Sequence, residues 1–333
     1  MARKISIKNI ADEVGVSIAA VSLVLSGKDI EGRISKSVAE KIRATAQTLN
    51  YKPNIAARSL RTGQTKTLGL IVADISNPFF AKLARHIENR ASELGYQVMF
   101  GSSDESCDKF SNLINLFIEK NVDGVIVTPV INSESKMMQL VNLNIPSVLI
   151  DRSFDGFPIS SIQIDNVTAA FTVTSRMIDQ GSKRIAFIYY CPELSNMQKR
   201  HEGYKKTLKY NNIPYDERIV KVATFNGFES NMAEIIDELL EEDVDSILFG
   251  SNRVGVHALL ALKKREKLHL FRYGSFDNPD EYKLSNISLI CVEQPLAEIG
   301  KRALEVLFKK IDDPEYGIVE HIILQANITR QML

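Results

Sequence analysis

Long hydrophobic runs are missing from this chain. No stretch approaches the roughly 20 apolar residues a helix needs to span a bilayer, and no secretory-type apolar segment precedes the first polar helix. This pattern predicts a cytoplasmic protein without a membrane partner. Cysteine is scarce too: Cys107, Cys191 and Cys291 are odd in number, far apart and without CxxC spacing. That excludes a disulfide framework and predicts buried free thiols in a reducing compartment. The five histidines are scattered, with no HExxH-like pair, so no metal site is expected. There is no GxGxxG turn and no nucleophile–base pairing, so neither catalysis nor a cofactor is expected. The segment Gly27–Ile34 looks superficially like a phosphate-binding P-loop. It has Arg33 where lysine is needed and Ile34 where a hydroxyl is needed, and it follows a helix instead of a strand.

What is present is a soluble, globular composition, 44% hydrophobic and 25% charged, long enough at 333 residues for two or three cores. The net charge of zero conceals a strong division. Residues 1–66 hold 12 Lys and Arg against 5 Asp and Glu, a basic head of +7 on a body of −7. A phosphate-binding domain joined to a body that does not bind nucleic acid has this distribution.

The head contains ISIKNIADEVGVSIAAVSLVLS, residues 5–26, which reads as two short helices and a tight turn. Ser6 can cap the first, with Ile7, Ile10, Ala11 and Val14 on one buried face. Gly15 supplies the left-handed turn, Val16 plugs the corner, and Ser17 caps a second helix whose inner face is Val21 with Val24 or Leu25. Ser35 opens a third helix striped by Val38, Ile42, Ala46 and Leu49. This is a helix-turn-helix pattern, in which the second helix enters the major groove of DNA. Ile18, Ala19 and Leu23 lie opposite Val21 and are free to reach bases, where apolar groups can meet the thymine methyl. Ser17, Ser22 and Asn54 suit phosphate oxygens, as Lys28 and Arg33 do. Asn54 can also cap a two-turn helix at residues 55–60, too short to be stable alone in water.

IKNIADEVGVS…AVS, then RIS, then LNYKPNIAARSLRTGQTKTLGLIVADISNPFF together resemble the start of the lactose-repressor/galactose-repressor family of bacterial transcription regulators. The resemblance implies that Leu60 is a wedge pushed into the minor groove at the operator centre, with Ala57 and Arg58 beside it. It also implies a palindromic double-stranded operator, a small-molecule effector of carbohydrate type and a homodimer. Because the sequence stops soon after its last predicted strand, a dimer without a C-terminal tetramerising helix is the expectation.

Beyond a linker at residues 63–65, strand and helix alternate. Strands are predicted at Thr67–Ala73, Gln97–Gly101, Gly124–Thr128 and Ser147–Ile150, then at Arg184–Tyr189, Ile219–Ala223, Ser246–Phe249, Leu270–Gly274 and Ile287–Val292, with amphipathic helices between. After helix Leu296–Lys309 comes a final run, His321–Thr329. Two βαβ series of similar size predict two lobes, each a doubly wound parallel sheet. The expected fold class is therefore an all-α helix-turn-helix domain followed by a two-lobed α/β core. The resemblance makes that core like a periplasmic sugar-binding protein, with chain crossings near Asp165, Gln294 and Leu324. The expected domains are 1–53 for DNA binding, 54–66 for the hinge and 67–333 for the core. The proximal lobe would take about 67–165 and 295–323, the distal lobe about 166–293 and 324–330.

In the core, the resemblance places the turn at Phe79 and Phe80 against the effector, although either ring could equally be core. It matches Arg200 and Asp277 to an effector-binding arginine and a cleft aspartate, and Asp151, Ser251, Asn252 and Gln294 complete the set. Ser251-Asn252 stands where the family usually has Asn-Asp, and the tail TRQML lacks a common acidic residue. The function expected is a repressor whose operator binding is controlled by a sugar or sugar phosphate in the interlobe cleft. An activator of the same family, a Rossmann enzyme and a transport protein are the alternatives. The enzyme lacks a glycine-rich turn at residues 73–78, and the transporter would have no basic helical head.

Overall fold

The computed structural model describes residues 5–27, 34–51, 63–225, 227–284 and 286–331. The chain divides into two compact units, Met1–Thr65 and Lys66–Leu333. In the first, α1 (Ile7–Val14), α2 (Ile18–Leu25) and α3 (Lys36–Thr48) each touch the other two. All three begin at a serine whose side-chain oxygen accepts a backbone N–H: Ser6 from Asn9, Ser17 from Ala20, Ser35 from Val38. These bonds satisfy donors that a helix start otherwise leaves open. Asn9 reciprocates, its Oδ1 accepting the Ser6 N–H at 2.9 Å. Gly15 ends α1 at φ +78°, a conformation costly for any residue with a Cβ. Ile10, Ala11, Val21, Val24, Ile42 and Ala46 form the core, with Ala39 added to the expected stripe of α3. Of the expected DNA-contacting positions, Asn54, Ala57, Arg58 and Leu60 lie outside the described residues, as do Lys28 and Arg33.

The second unit contains two six-stranded sheets. The first is built from β1 (Thr67–Val72), β2 (Gln97–Ser102), β3 (Gly124–Val127), β4 (Ser147–Ile150), β5 (Ser160–Ile164) and β11 (His321–Leu324), in the order β11-β5-β4-β3-β1-β2. The second uses β6 (Ile185–Tyr190), β7 (Val220–Ala223), β8 (Ser246–Phe249), β9 (Arg272–Phe276), β10 (Leu289–Glu293) and β12 (Asn327–Gln331), in the order β12-β10-β9-β8-β6-β7. Every pairing is parallel except β10 with β12. Central strands are buried on both faces, which is why they read as unbroken apolar runs.

Helices cover the sheets. On the first, α4 (Pro78–Glu93) packs with the late helix α11 (Leu296–Asp312), while α5 (Cys107–Glu119) and α6 (Glu134–Asn142) supply Phe110, Ile114, Phe117, Met137 and Leu140 to a separate core. On the second, α7 (Asn166–Asp179) pairs with α8 (Ser195–Tyr210), and α9 (Phe228–Glu241) pairs with α10 (Asn252–Lys264). The α7–α8 crossing is tight: a Cβ on Gly203 would lie 2.3 Å from the Val167 carbonyl oxygen. Backbone cannot yield as a side-chain tip can. Gly203→Ala is therefore expected to cost about 1–3 kcal/mol, read as a lowered urea midpoint at unchanged slope. An alanine variant as stable as wild type would mean that the helices slide apart freely.

Two features differ from the expectation. Strand β5 was not foreseen, because SSIQI is short and more polar than its neighbours. Its polar groups are satisfied inside: Ser160 Oγ accepts the Glu320 N–H at 3.0 Å, and Ser161 Oγ lies 2.9 Å from His321 Nδ1. Those partners arrive from the far end of the chain. The final run is likewise two strands in different sheets, β11 and β12, broken at residues 325–326. The chain thus passes between sheets after β5, after β10 and after β11, and the strand ends of the two lobes face each other.

Candidate operator surface and interlobe site

Helix α2 divides its residues sharply. Val21 and Val24 are at 0% and 2% exposure, whereas Ile18, one turn away, is 50% exposed. Ser17 and Ala19 are exposed with it, and Ser22 and Leu23 are half-buried. An isoleucine left in water at the start of a helix costs little alone, and it gives α2 an apolar tip. Ser17 Oγ accepts the Ala20 N–H at 3.1 Å, which leaves its own hydrogen available to donate.

In the second unit, Asp151 follows β4 and Asp277 follows β9, which hold matching places in the two sheet orders. Both adopt left-handed backbone, φ +66°, rare for a residue with a side chain and concentrated at functional turns. Asp151 is buried and accepts from Asn196 Nδ2 at 3.0 Å, and Arg152 Nε lies 3.3 Å away without hydrogen-bond geometry. Asp277 accepts from Gln294 Nε2 at 2.8 Å. Burial pushes the Asp277 carboxyl up to about 6, although Arg200 and the Gln294 bond oppose it.

Arg200, 2% exposed, donates through Nε to Asn166 Oδ1 at 2.8 Å and through one terminal nitrogen to the Gly250 carbonyl at 2.7 Å. Its guanidinium stacks 4.0 Å over the Phe276 ring. Burial weakens its hold on the proton, while Asp151 and Asp277 strengthen it. The two carboxylates therefore share the field of one guanidinium, although neither forms a direct bond to it among the described contacts. Ser251 Oγ caps α10 by accepting the Val254 N–H. Asn252, buried, donates to Asn77 Oδ1 at 2.7 Å and so joins the lobes. Phe79 and Phe80 meet edge to face at 4.8 Å. Phe79 borders a cavity of about 170 Å³ with Asp277, Asn252 and Gln294, whereas Phe80 is enclosed in the core.

The residues that bear most on this cleft were missed. Arg152 is 2% exposed and grips Glu105 with both terminal nitrogens, at 2.8 and 2.6 Å, while one also donates to Tyr190 of the other lobe at 3.4 Å. Burial opposes its charge, and Glu105 more than restores it, so the guanidinium stays above its ordinary value. Arg253 reaches across to Asp74 at 2.9 Å and stacks 4.2 Å over Phe225. An Asp-Arg pair directly after a buried strand was the available signal for Arg152. For Arg253 there was none, since its partner is 179 residues distant.

Comparison with known proteins bears on both units. Residues 6–54 match the family described as bacterial regulatory proteins, lacI family, and residues 65–326 match periplasmic binding proteins and sugar binding domain of LacI family. The chain belongs to the LacI family. It is 31% identical over 313 residues to catabolite control protein A of Priestia megaterium, covering 92% of each chain. To the ribose operon repressor of Halalkalibacterium halodurans it is 31% identical over 314 residues, 92% of this chain and 90% of the other. A solved lac repressor dimer, bound to operator and an anti-inducer, superposes with a TM-score of 0.83 over 98% of both chains at 18% identity, a likeness of fold. This LacI-family chain is accordingly a transcription regulator, with a DNA-binding helix-turn-helix domain and a core of the sugar-binding type. No described helix is long and apolar enough to cross a membrane.

Proposed function

We propose that this LacI-family regulator is a repressor that binds a palindromic operator as a homodimer and is controlled by a sugar-type metabolite held between its lobes. The observation that carries the control is the convergence of charged and amide side chains from both lobes, Asp151, Arg200, Asn252, Asp277 and Gln294, at facing strand ends. Ile18, Ala19 and Leu23 would meet base edges, Ser17 and Ser22 phosphates, with Asn54, Ala57, Arg58 and Leu60 as hinge contacts in the minor groove. Residues 1–53, 54–66 and 67–333 would act as reader, hinge and sensor. A ligand favouring one cleft geometry shifts the core by its difference in affinity for the two, and the hinges transmit the shift.

The basic head must displace counterions from DNA, so operator affinity should fall about 10³-fold or more between about 50 and 200 mM salt. Quantitative footprinting checks this together with symmetry: two protected half-sites related by a dyad are expected. A single asymmetric half-site, or binding indifferent to salt, would refute the reading. Addition of the metabolite should change the footprint without changing its boundaries.

A further inference from the structure

Helix α2 carries no side chain that can make a paired hydrogen bond to a base. Its residues, IAAVSLVL, include no Arg, Lys, Asn, Gln, Asp, Glu or His. Val21 and Val24 turn into the core of the head, and Leu25 packs against that core. Among the described residues, Ile18 and Leu23 do neither. Ile18 and Ser22 lie one turn apart, as do Ala19 and Leu23, so these four share one side of the helix. Ile18 and Ala19 are exposed there, and Ser22 and Leu23 are half-buried. The outer side of α2 thus presents two branched apolar side chains on a head of charge +7, and that charge marks a polyanion as what covers them.

Donors and acceptors alone mark guanine, adenine and cytosine in the major groove, whereas thymine adds a methyl group. An isoleucine or leucine offers a donor or acceptor nothing and shuts water away from it, which costs affinity. Against the thymine methyl the same contact is favourable, because both surfaces leave water. The serines do not change this. Ser22 has a hydroxyl that both donates and accepts, so it can meet any base edge, and Ser26 Oγ donates to the Leu23 carbonyl at 3.0 Å. Resting on the operator binding proposed above, we propose that α2 reads its half-site through methyl groups, with Ile18 and Leu23 as the residues that select thymine. The matching half-site carries thymine methyls where these two side chains lie, and α2 reads no guanine there by a paired hydrogen bond.

Selection of sites from random double-stranded DNA by the full chain supplies the probe. The selected operator is then remade with deoxyuridine for one thymine at a time, which removes one methyl and leaves every donor and acceptor in place. At one or two positions in each half-site this should weaken binding about fourfold, and about tenfold or more when made in both half-sites. A 5-methylcytosine·guanine pair at such a position should bind more tightly than cytosine·guanine, since only the methyl distinguishes them. Ile18→Ala or Leu23→Ala should abolish the preference for thymine over uracil at the position its side chain covers, and Ile18→Val should keep most of it. Ile18 is 50% exposed, so its variants should melt as wild type does, which guards against misfolding of the Leu23 variant. Tolerance of uracil at every position overturns the inference. So does a penalty that persists in both alanine variants, because the methyl would then act through the shape of the DNA. If no symmetric site is selected, the inference falls together with the proposed function. If a symmetric site is selected and is indifferent to uracil, the proposed function survives and methyl reading does not.

Discussion

Removing the Arg152 side chain, as Arg152→Leu, is expected to cost about 3–5 kcal/mol, seen as a lowered unfolding midpoint. The substitution leaves Glu105, whose side chain is 7% exposed, facing a gap where its guanidinium stood, and takes one of two nearby guanidinium charges from the buried Asp151. In water the Glu105 carboxylate is well solvated, and here the Arg152 guanidinium replaces that solvation. Glu105→Leu should be similarly costly, because it strands the cation. The double variant, Arg152→Leu with Glu105→Leu, should recover much of the loss, since two apolar groups of similar bulk remove both desolvated charges together. Additive losses in the double variant would show that the pair is not the source of the effect. Because Arg152 also reaches Tyr190 in the other lobe, the single variant should loosen the cleft as well as the fold.

The second large effect is expected at Asp277, and it depends on pH. Its carboxyl is pushed up to about 6 by burial, above the ordinary carboxylate value of 3.8. The folded protein therefore holds this proton more tightly than the unfolded chain. Folding gains from the group below that range, and the gain is lost as pH rises through about 6, where the half-buried carboxylate must ionise. Asp277→Asn keeps an oxygen for Gln294 Nε2 and removes the ionisation. At neutral pH it should be more stable than wild type by about 2 kcal/mol, and the gap should close as pH falls toward about 4. Comparing the two proteins at each pH cancels the other titrating groups. The same variant should lose most of its response to the effector if Asp277 accepts hydroxyl bonds. A constant stability gap across this pH range would show that Asp277 ionises as an ordinary exposed carboxyl.

The contrast between Asp277 and Arg152 shows where residue patterns stop being informative. Asp277 follows a strand with a clear apolar pattern, in a segment that resembles a family motif, so its place could be anticipated. Arg152 sits next to an equally legible strand, β4, but what makes it matter is Glu105, 47 residues earlier, and Tyr190, 38 later. No local pattern encodes such a meeting. Phe79 and Phe80 differ for a related reason: both begin α4 with similar chemistry and both are buried in the core, and only the packing decides that Phe79 also borders a cavity.

By itself, the sequence determined the elements whose physics is local. Ser6, Ser17 and Ser35 start their helices because a side-chain oxygen next to open N–H groups can cap them within one turn. Gly15 turns the chain because it lacks a Cβ, and central strands such as β3, β4 and β8 declare themselves because burial on both faces demands apolar residues throughout. Tertiary structure alone decided that SSIQI is a strand, since its serines become tolerable only when Glu320 and His321 supply partners, and its glutamine when Lys199 donates to it. It alone also set the pair Arg152–Glu105 within one lobe and the pairs Arg253–Asp74 and Asn252–Asn77 across the cleft. The energy of each pair depends on distance and exclusion of water, and both arise only when segments remote in the chain are folded against one another.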